Sequence, residues 1–310
     1  DEKIPKLLFH SRFTAGGREE LTSKVLSLFG KDTSRRPERF VLVATQVVEQ
    51  SLDVDFDFMI SEAAPMDLLL QRSGRLHRHR ERSFHPELHI LIPAAGSFDF
   101  GSTGRVYAPY PLVKTLLLLR DFPPVHLPHD FRKLIEGAYG RSHAGLGPGE
   151  EMTLDEALAE WEKDIQEVEA MARQFCLNEP SPRTFQPVLN DPPGEDSEEG
   201  KGWRGKTRLG LNDKTILFAE PSEALRLQEE ELSKEEIKAV FRRTLKAPHY
   251  LPLENPLDQN HGPREGRVSL KGVLIIPVSD GRTYRCQTKQ GAIYRLEYDR
   301  QLGLTTQKEP

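Results

Sequence analysis

Cysteine is almost missing from this chain: 310 residues carry two, Cys176 and Cys286. That excludes a disulfide-stapled scaffold and fits a reducing, cytoplasmic setting. No apolar stretch reaches the roughly 20 residues needed to cross a bilayer, so no membrane partner is expected. Asp1-Glu2-Lys3 runs through Pro5 into a brief apolar run, without the pattern of a secretory signal. Nor is there a surplus of positive charge. A net charge of −5 excludes a chain that holds polyanions by bulk electrostatics, so any nucleic-acid contact has to be local.

The charge is unevenly spread. Residues 1–95 hold 14 basic and 14 acidic residues, 150–200 hold 3 and 15, and 201–310 hold 20 and 15. A neutral start, an acidic middle and a mildly basic end suggest distinct units. We expect a first domain at 1–95, a linker region at 96–202 and a C-terminal domain at 203–310. In the first, apolar runs at 7–9, 40–44, 58–60 and 88–92 read as short buried strands. Between them, 18–29 sets Leu21, Val25, Leu28 and Phe29 on one helical face, and 67–77 reads as a second helix. Strands alternating with helices predict an α/β fold around a parallel sheet. Chemistry in such sheets gathers at the carboxyl ends of the strands, where His10-Ser11-Arg12 and Thr45-Gln46 fall.

Residues 96–150 are rich in Gly and Pro, which predicts mostly irregular structure with one helix at 113–119. The clearest helix is 153–176. Thr153-Leu-Asp-Glu156 reads as a capping box, and Leu154, Leu158, Trp161, Ile165, Val168, Ala172 and Phe175 form an apolar seam opposite an acidic, wet face. Residues 187–202 are a linker by composition. A small α+β domain follows, with strands at 215–219, 272–278, 282–286 and 291–298. Its helix is capped by Ser233-Lys-Glu-Glu236 and carries Ile237, Val240, Phe241 and Leu245.

Three motifs lack the context their chemistry needs. Gly200 to Thr207 satisfies G-x-x-x-x-G-K-T, but an acidic Pro-Pro-Gly stretch enters it and Gly210 with Asn-Asp leaves it, so strand and helix are both missing. Asp53, Asp55 and Asp57 resemble the start of a calcium loop without its glycine or distal glutamate. His77, His79, His85 and His89 match no zinc spacing, and no cysteine is near; a basic surface accounts for them. Trp161 belongs to the helical seam, and Trp203 sits in a basic, exposed stretch.

Residues 71–82 read QRSGRLHRHRER. If 67–77 is helical, Gln71, Arg75 and Arg78 share one face. A guanidinium keeps its charge at physiological pH and offers fixed donors to a phosphate. An ordinary arginine-rich surface helix fits the same twelve residues. The upstream VATQVVEQSLDVDFD adds a buried strand ending in Thr45-Gln46 and a spaced carboxylate, Asp53.

Together these stretches resemble motifs V and VI of superfamily-2 helicases, and LLFHSRF at 7–13 resembles motif IV. In particular, ATQVVEQSLDVDFD and QRSGRLHRH look like the CRISPR-associated helicase–nuclease of type I systems, as do KTRLG at 206–210 and YDRQLGL at 298–304 further on. The resemblance implies a second RecA-like helicase domain, truncated at its start, then a helical linker and an α+β accessory domain. It implies that Arg75 and Arg78 are arginine fingers reaching ATP and Mg²⁺ on a first RecA-like domain. Gln71 would sense the γ-phosphate or its water, Asp53 would contact the ribose or couple to the fingers, and Gly74 would border the nucleotide. Ser11, Arg12, Thr45 and Gln46 would touch the phosphates of single-stranded DNA, groups suited to backbone contact without sequence readout. The whole protein would move 3′ to 5′ on DNA, be recruited by an RNA-guided surveillance complex, and cut DNA through a transition-metal HD domain.

The sequence holds no Walker A loop in a usable context, no D-E-x-H or D-E-x-D and no HD domain. The chain is therefore expected to be a monomeric C-terminal piece without ATPase or nuclease activity of its own. Two other readings stay open: another superfamily-2 helicase acting on RNA or in repair, and a non-enzymatic DNA-binding module derived from a helicase. The tail motifs separate the first, and a GKT loop with an HD domain in the parent chain would exclude the second.

Overall fold

A computed structural model describes residues 4–32, 34–49, 52–94, 97–120, 122, 124–141, 148–173, 213–257, 262–280 and 282–309. Cys176, Phe175, the G-x-x-x-x-G-K-T stretch, the 187–202 segment, Trp203 and KTRLG lie outside them. The chain divides into two units: residues 1–59, 71–88 and 211–310 form one, and 60–70 and 89–210 the other.

The first unit opens with β1 (Lys6–Phe9), α1 (Ala15–Phe29) and β2 (Val41–Ala44). β1 and β2 pair in parallel, with Phe9 opposite Ala44, so both strands release their chain at the same edge. α1 starts where Thr14 Oγ1 accepts the Gly17 N–H at 3.1 Å, and it turns Val25 and Phe29 into a core with Phe9, Leu52 and Val54. That is the sheet-and-helix order expected from the apolar runs, but β2 is not buried as expected: Val41 and Val43 are exposed.

Two further strands, β3 (Phe58–Glu62) and β4 (Glu87–Leu91), pair with each other. Between them α2 spans Met66–Ser73, shorter than the expected 67–77. The reason lies just beyond it. Leu76 forms a parallel bridge with Phe56, the Phe56 N–H donating to the Arg75 carbonyl at 2.8 Å and the His77 N–H to the Phe56 carbonyl at 3.1 Å. Those groups serve a strand partner, so the helix ends at Ser73, and His77 takes a left-handed φ of 48°.

The rest of the first unit is α+β. β5 (Lys214–Ala219), α6 (Pro221–Glu229), α7 (Lys234–Arg243), β6 (Leu245–Ala247), β7 (Arg264–Glu265) and β8 (Val273–Pro277) give a four-stranded sheet in the order β6-β5-β8-β7. β9 (Thr283–Gln287), β10 (Ile293–Asp299) and β11 (Gly303–Lys308) form an antiparallel meander. The capping box at Ser233 is present. β6, β7 and β11 were not expected; β11, reading GLTTQK, has little apolar character and is specified by its pairing along β10.

In the second unit, α3 (Pro109–Arg120), α4 (Phe131–Tyr139) and α5 (Pro148–Arg173) replace the irregular region expected over much of 96–150. α5 begins at Pro148, not at a Thr153 cap: Thr153 lies inside the helix, and its hydroxyl donates back to the Gly149 carbonyl at 3.0 Å. The apolar seam is only half used. Leu154 and Ala157 are buried with Tyr110 and Val113, whereas Ile165 and Val168 are exposed. No helix among the described residues is long and apolar enough to cross a membrane.

Candidate functional site

The shared exit edge of β1 and β2 carries four of the residues singled out by sequence. The Thr45 N–H reaches the Phe9 carbonyl at 3.3 Å, which holds the two exits side by side. Ser11, Thr45 and Gln46 are exposed there. Arg12 is not free: its Nη1 donates to the Lys246 carbonyl at 2.9 Å and lies 3.2 Å from Asp213. Gln46 opens a short 3₁₀ turn, Gln46–Val48, which leads to Glu49.

Glu49 begins the second cluster. The Phe56–Leu76 bridge sets the acidic run after it against the arginine run, and most of the charges meet. Arg72 pairs with Glu49 at 2.6 Å, both side chains nearly buried. Arg78 Nε donates to Asp53 at 2.7 Å, and His79 lies 2.9 Å from the same oxygen. Arg82 lies 3.1 Å from Asp55 and 2.6 Å from Asp57, which Arg36 also engages at 2.7 Å. Arg80 approaches Asp55 at 3.7 Å. The alternating aspartates are thus partners of the arginines, not a calcium loop. Among the described residues no group of three or more His, Cys, Asp or Glu side chains could hold a metal.

Asp55 sits at the centre of this ladder, 1% exposed. Burial alone would raise its pKa, but Arg82, the Arg78 N–H (2.9 Å) and the Arg36 charge outweigh that and hold the carboxyl below its ordinary value. Asp53 and Asp57 are shifted the same way, burial opposing and their arginines prevailing.

Arg75 is the exception. Of the five arginines in 71–82 it alone has no carboxylate within ion-pair distance among the described residues. Its Nη2 donates to the Glu49 carbonyl at 2.7 Å, and its Nε is buried with no acceptor. Burial and the neighbouring Arg78 charge lower its pKa, against the attraction of Asp53. Arg80 Nε and Arg82 Nη2 are likewise buried without an acceptor, so what sets Arg75 apart is the lack of a paired carboxylate among the described residues. A half-buried guanidinium without such a partner fits an anion arriving from outside the chain. Gln71 and Gly74 are exposed beside it, Gln71 on the last turn of α2 and Gly74 just past its end.

Glu49 holds two arginines of this cluster, its carboxylate pairing with Arg72 and its carbonyl accepting from Arg75. Sequence reading passed over it, although a lone glutamate inside an apolar-to-acidic transition was its signal. Glu49→Gln keeps an acceptor and loses the charge, so it is expected to cost about 1.5 kcal/mol in urea unfolding. An unchanged midpoint and slope would contradict the pairing.

The family model described as CRISPR-associated nuclease/helicase Cas3, C-terminal, matches residues 1–81. The CRISPR-associated endonuclease/helicase Cas3 of Thermus thermophilus is 33% identical over 326 aligned residues, covering 96% of this chain and 34% of that protein. The chain corresponds to the C-terminal portion of Cas3. The crystal structure of T. fusca Cas3 with ATP superposes with a TM-score of 0.72 at 27% identity, over 97% of this chain and 35% of that one. A chain in a pre-nicking CRISPR RNA-guided surveillance complex does so with a TM-score of 0.66 at 27% identity, over 97% of this chain and 37% of that one. This chain therefore spans about a third of the Cas3 proteins it follows along its whole length. The α/β core with its parallel β1–β2 pair is the RecA-like part of the Cas3 helicase region, and the family-model match contains every site residue discussed above from Ser11 to Arg78.

Proposed function

We propose that this chain supplies half of the ATP site and part of the DNA track of a type I CRISPR helicase–nuclease that unwinds and degrades invading DNA. The observation that carries the reading is the uncompensated charge of Arg75 amid four compensated neighbours. ATP with Mg²⁺, when bound on another RecA-like domain, supplies the phosphoryl group whose transfer to water drives movement. Arg75 neutralises the charge that develops on the γ-phosphate oxygens. Gln71, exposed on α2, orients the attacking water or senses the phosphate. Arg78, tied to Asp53, couples the ribose side of the nucleotide to that finger across Gly74.

Ser11, Thr45 and Gln46 hold the phosphates of single-stranded DNA at the strand-exit edge. Hydroxyl, amide and backbone N–H groups bind phosphate without reading bases, which suits a motor. Arg12 braces that edge. DNA cutting belongs to a metal-dependent HD domain elsewhere in the protein, and the assembly acts as a monomer in the prokaryotic cytoplasm, docked on the RNA-guided surveillance complex. The similar chain found in a pre-nicking CRISPR RNA-guided surveillance complex supports the docking.

The isolated chain is expected to show no ATP turnover above background and no DNA cleavage, while the full-length protein hydrolyses ATP and is stimulated by single-stranded DNA. Colorimetric phosphate release with and without an oligonucleotide checks both. Turnover by the isolated chain would mean that it holds a complete nucleotide site and would sink the divided-site reading.

A further inference from the structure

The loop that leaves β1 is built as much by the C-terminal residues of the chain as by its own. His10 Nε2 lies 3.0 Å from the Leu302 carbonyl, and its Nδ1 accepts the Arg12 N–H at 3.0 Å. Those partners fix the neutral tautomer with the proton on Nε2. Burial, the largest influence, lowers the imidazole pKa against the Leu302 hydrogen bond. The ring also stacks on Phe13, centroids 4.6 Å apart.

The next residues are held the same way. The Leu304 N–H donates to the Arg12 carbonyl at 2.8 Å, and the Ala15 N–H donates to the Thr244 carbonyl at 2.9 Å. Arg12 reaches the Lys246 carbonyl and Asp213, and Arg242 pairs with Glu19 on α1.

Gly303 is the tightest point. Its φ is +71°, and a Cβ built there would lie 2.7 Å from His10 Cε1 and 2.9 Å from the Arg12 carbonyl oxygen. A side chain at 303 is strained by the backbone and blocked by the loop it supports. Only glycine lets the β10–β11 turn close on His10 and Arg12. A merely covering domain would not need backbone hydrogen bonds into the loop that presents Ser11.

We propose that the β10–β11 turn is a positioning element for the DNA-binding edge, acting through Gly303 and His10 to set the backbone at Ser11 and Arg12. This rests on the reading that Ser11 touches DNA phosphate. His10 and Gly303 touch no ligand in it; they fix the loop that does.

The test uses full-length protein and reads two quantities: basal ATP turnover, and the single-stranded-DNA concentration that gives half-maximal stimulation. Gly303→Ala and His10→Ala are expected to raise that concentration about tenfold with basal turnover unchanged, since misplacing a contact by a fraction of an ångström costs binding. His10→Asn, whose Oδ1 can accept the Arg12 N–H, is expected to return it to within about twofold, a rescue that general destabilisation would not give. Should Gly303→Ala fail to fold, the His10→Ala and His10→Asn pair decides alone. Wild-type DNA response in His10→Ala, with a weakened response in Ser11→Ala, would overturn the positioning role and leave the edge intact. Wild-type response in Ser11→Ala as well would remove the DNA edge, and this inference with it.

Discussion

Arg75→Ala in the full-length protein is expected to lower DNA-stimulated ATP turnover by about 10³-fold, the lower end of what an arginine finger contributes. Arg72, Arg78, Arg80 and Arg82 each face a carboxylate from the 49–57 run. Removing any of them disturbs a pair that exists before nucleotide arrives. Among the described residues Arg75 has only the Glu49 carbonyl as a partner, and its buried Nε has no acceptor. Its charge is unspent in the resting fold and becomes useful when phosphate charge develops. Arg75→Lys keeps the charge and loses the planar fork, so it is expected to recover at most a tenth of the activity, about tenfold below wild type. Stability should fall by no more than about 1.5 kcal/mol with either substitution, because no ion pair is broken and the hydrogen bond to the Glu49 carbonyl is what is lost. A loss of turnover matched by an equal loss of folded protein would refute this account of Arg75.

Asp55→Ala is expected to be the most damaging change to stability in the ladder, at about 3 kcal/mol by chemical unfolding of the chain. The carboxylate is 1% exposed, accepts the Arg78 N–H at 2.9 Å and faces Arg82 at 3.1 Å. Deleting it leaves a nearly buried guanidinium with only the exposed Asp57 as its anion. Acid should report the same pair. The folded carboxyl lies below its ordinary value. Its contribution is therefore complete above the ordinary carboxylate range, near pH 4, and is lost as pH falls through the lowered folded value. Wild type should lose stability steeply below about pH 4, and Asp55→Ala should show a shallower loss over that window. Parallel acid profiles would remove Asp55 from the account.

What sequence could and could not reveal divides along the distance between partners. The strands at Lys6–Phe9 and Val41–Ala44 announce themselves as apolar runs, and their polar exits at Ser11 and Thr45 follow from counting to the strand end. The ladder was not visible. Asp53, Asp55 and Asp57 matched only the start of a calcium loop, and their arginine partners could not be read from spacing, because the Phe56–Leu76 bridge that brings the runs together is a tertiary contact. The same bridge explains the helix that stopped early: Leu76 fits a helical period, yet the backbone on either side is taken by Phe56.

Local signals also misled by being common. Thr153 and Glu156 have capping-box spacing inside a helix whose start Pro148 sets. α4 hid among Gly and Pro although Leu134 and Ala138 recur at a helical interval and are both buried. The contacts of Arg12 with Lys246 and Asp213 could not be read locally, because Lys246 stands 234 positions away.

Arg75 of QRSGRLHRHRER is held for catalysis, while Arg72 and Arg82 hold the fold through Glu49 and Asp55. The measurement that tests this division most directly is DNA-stimulated ATP turnover per folded molecule for Arg75→Ala beside Arg82→Ala in the full-length protein. The account predicts that Arg75→Ala stays folded and loses turnover, whereas Arg82→Ala loses stability and keeps its turnover per folded molecule within about tenfold. Equal turnover per folded molecule in wild type and Arg75→Ala would contradict it.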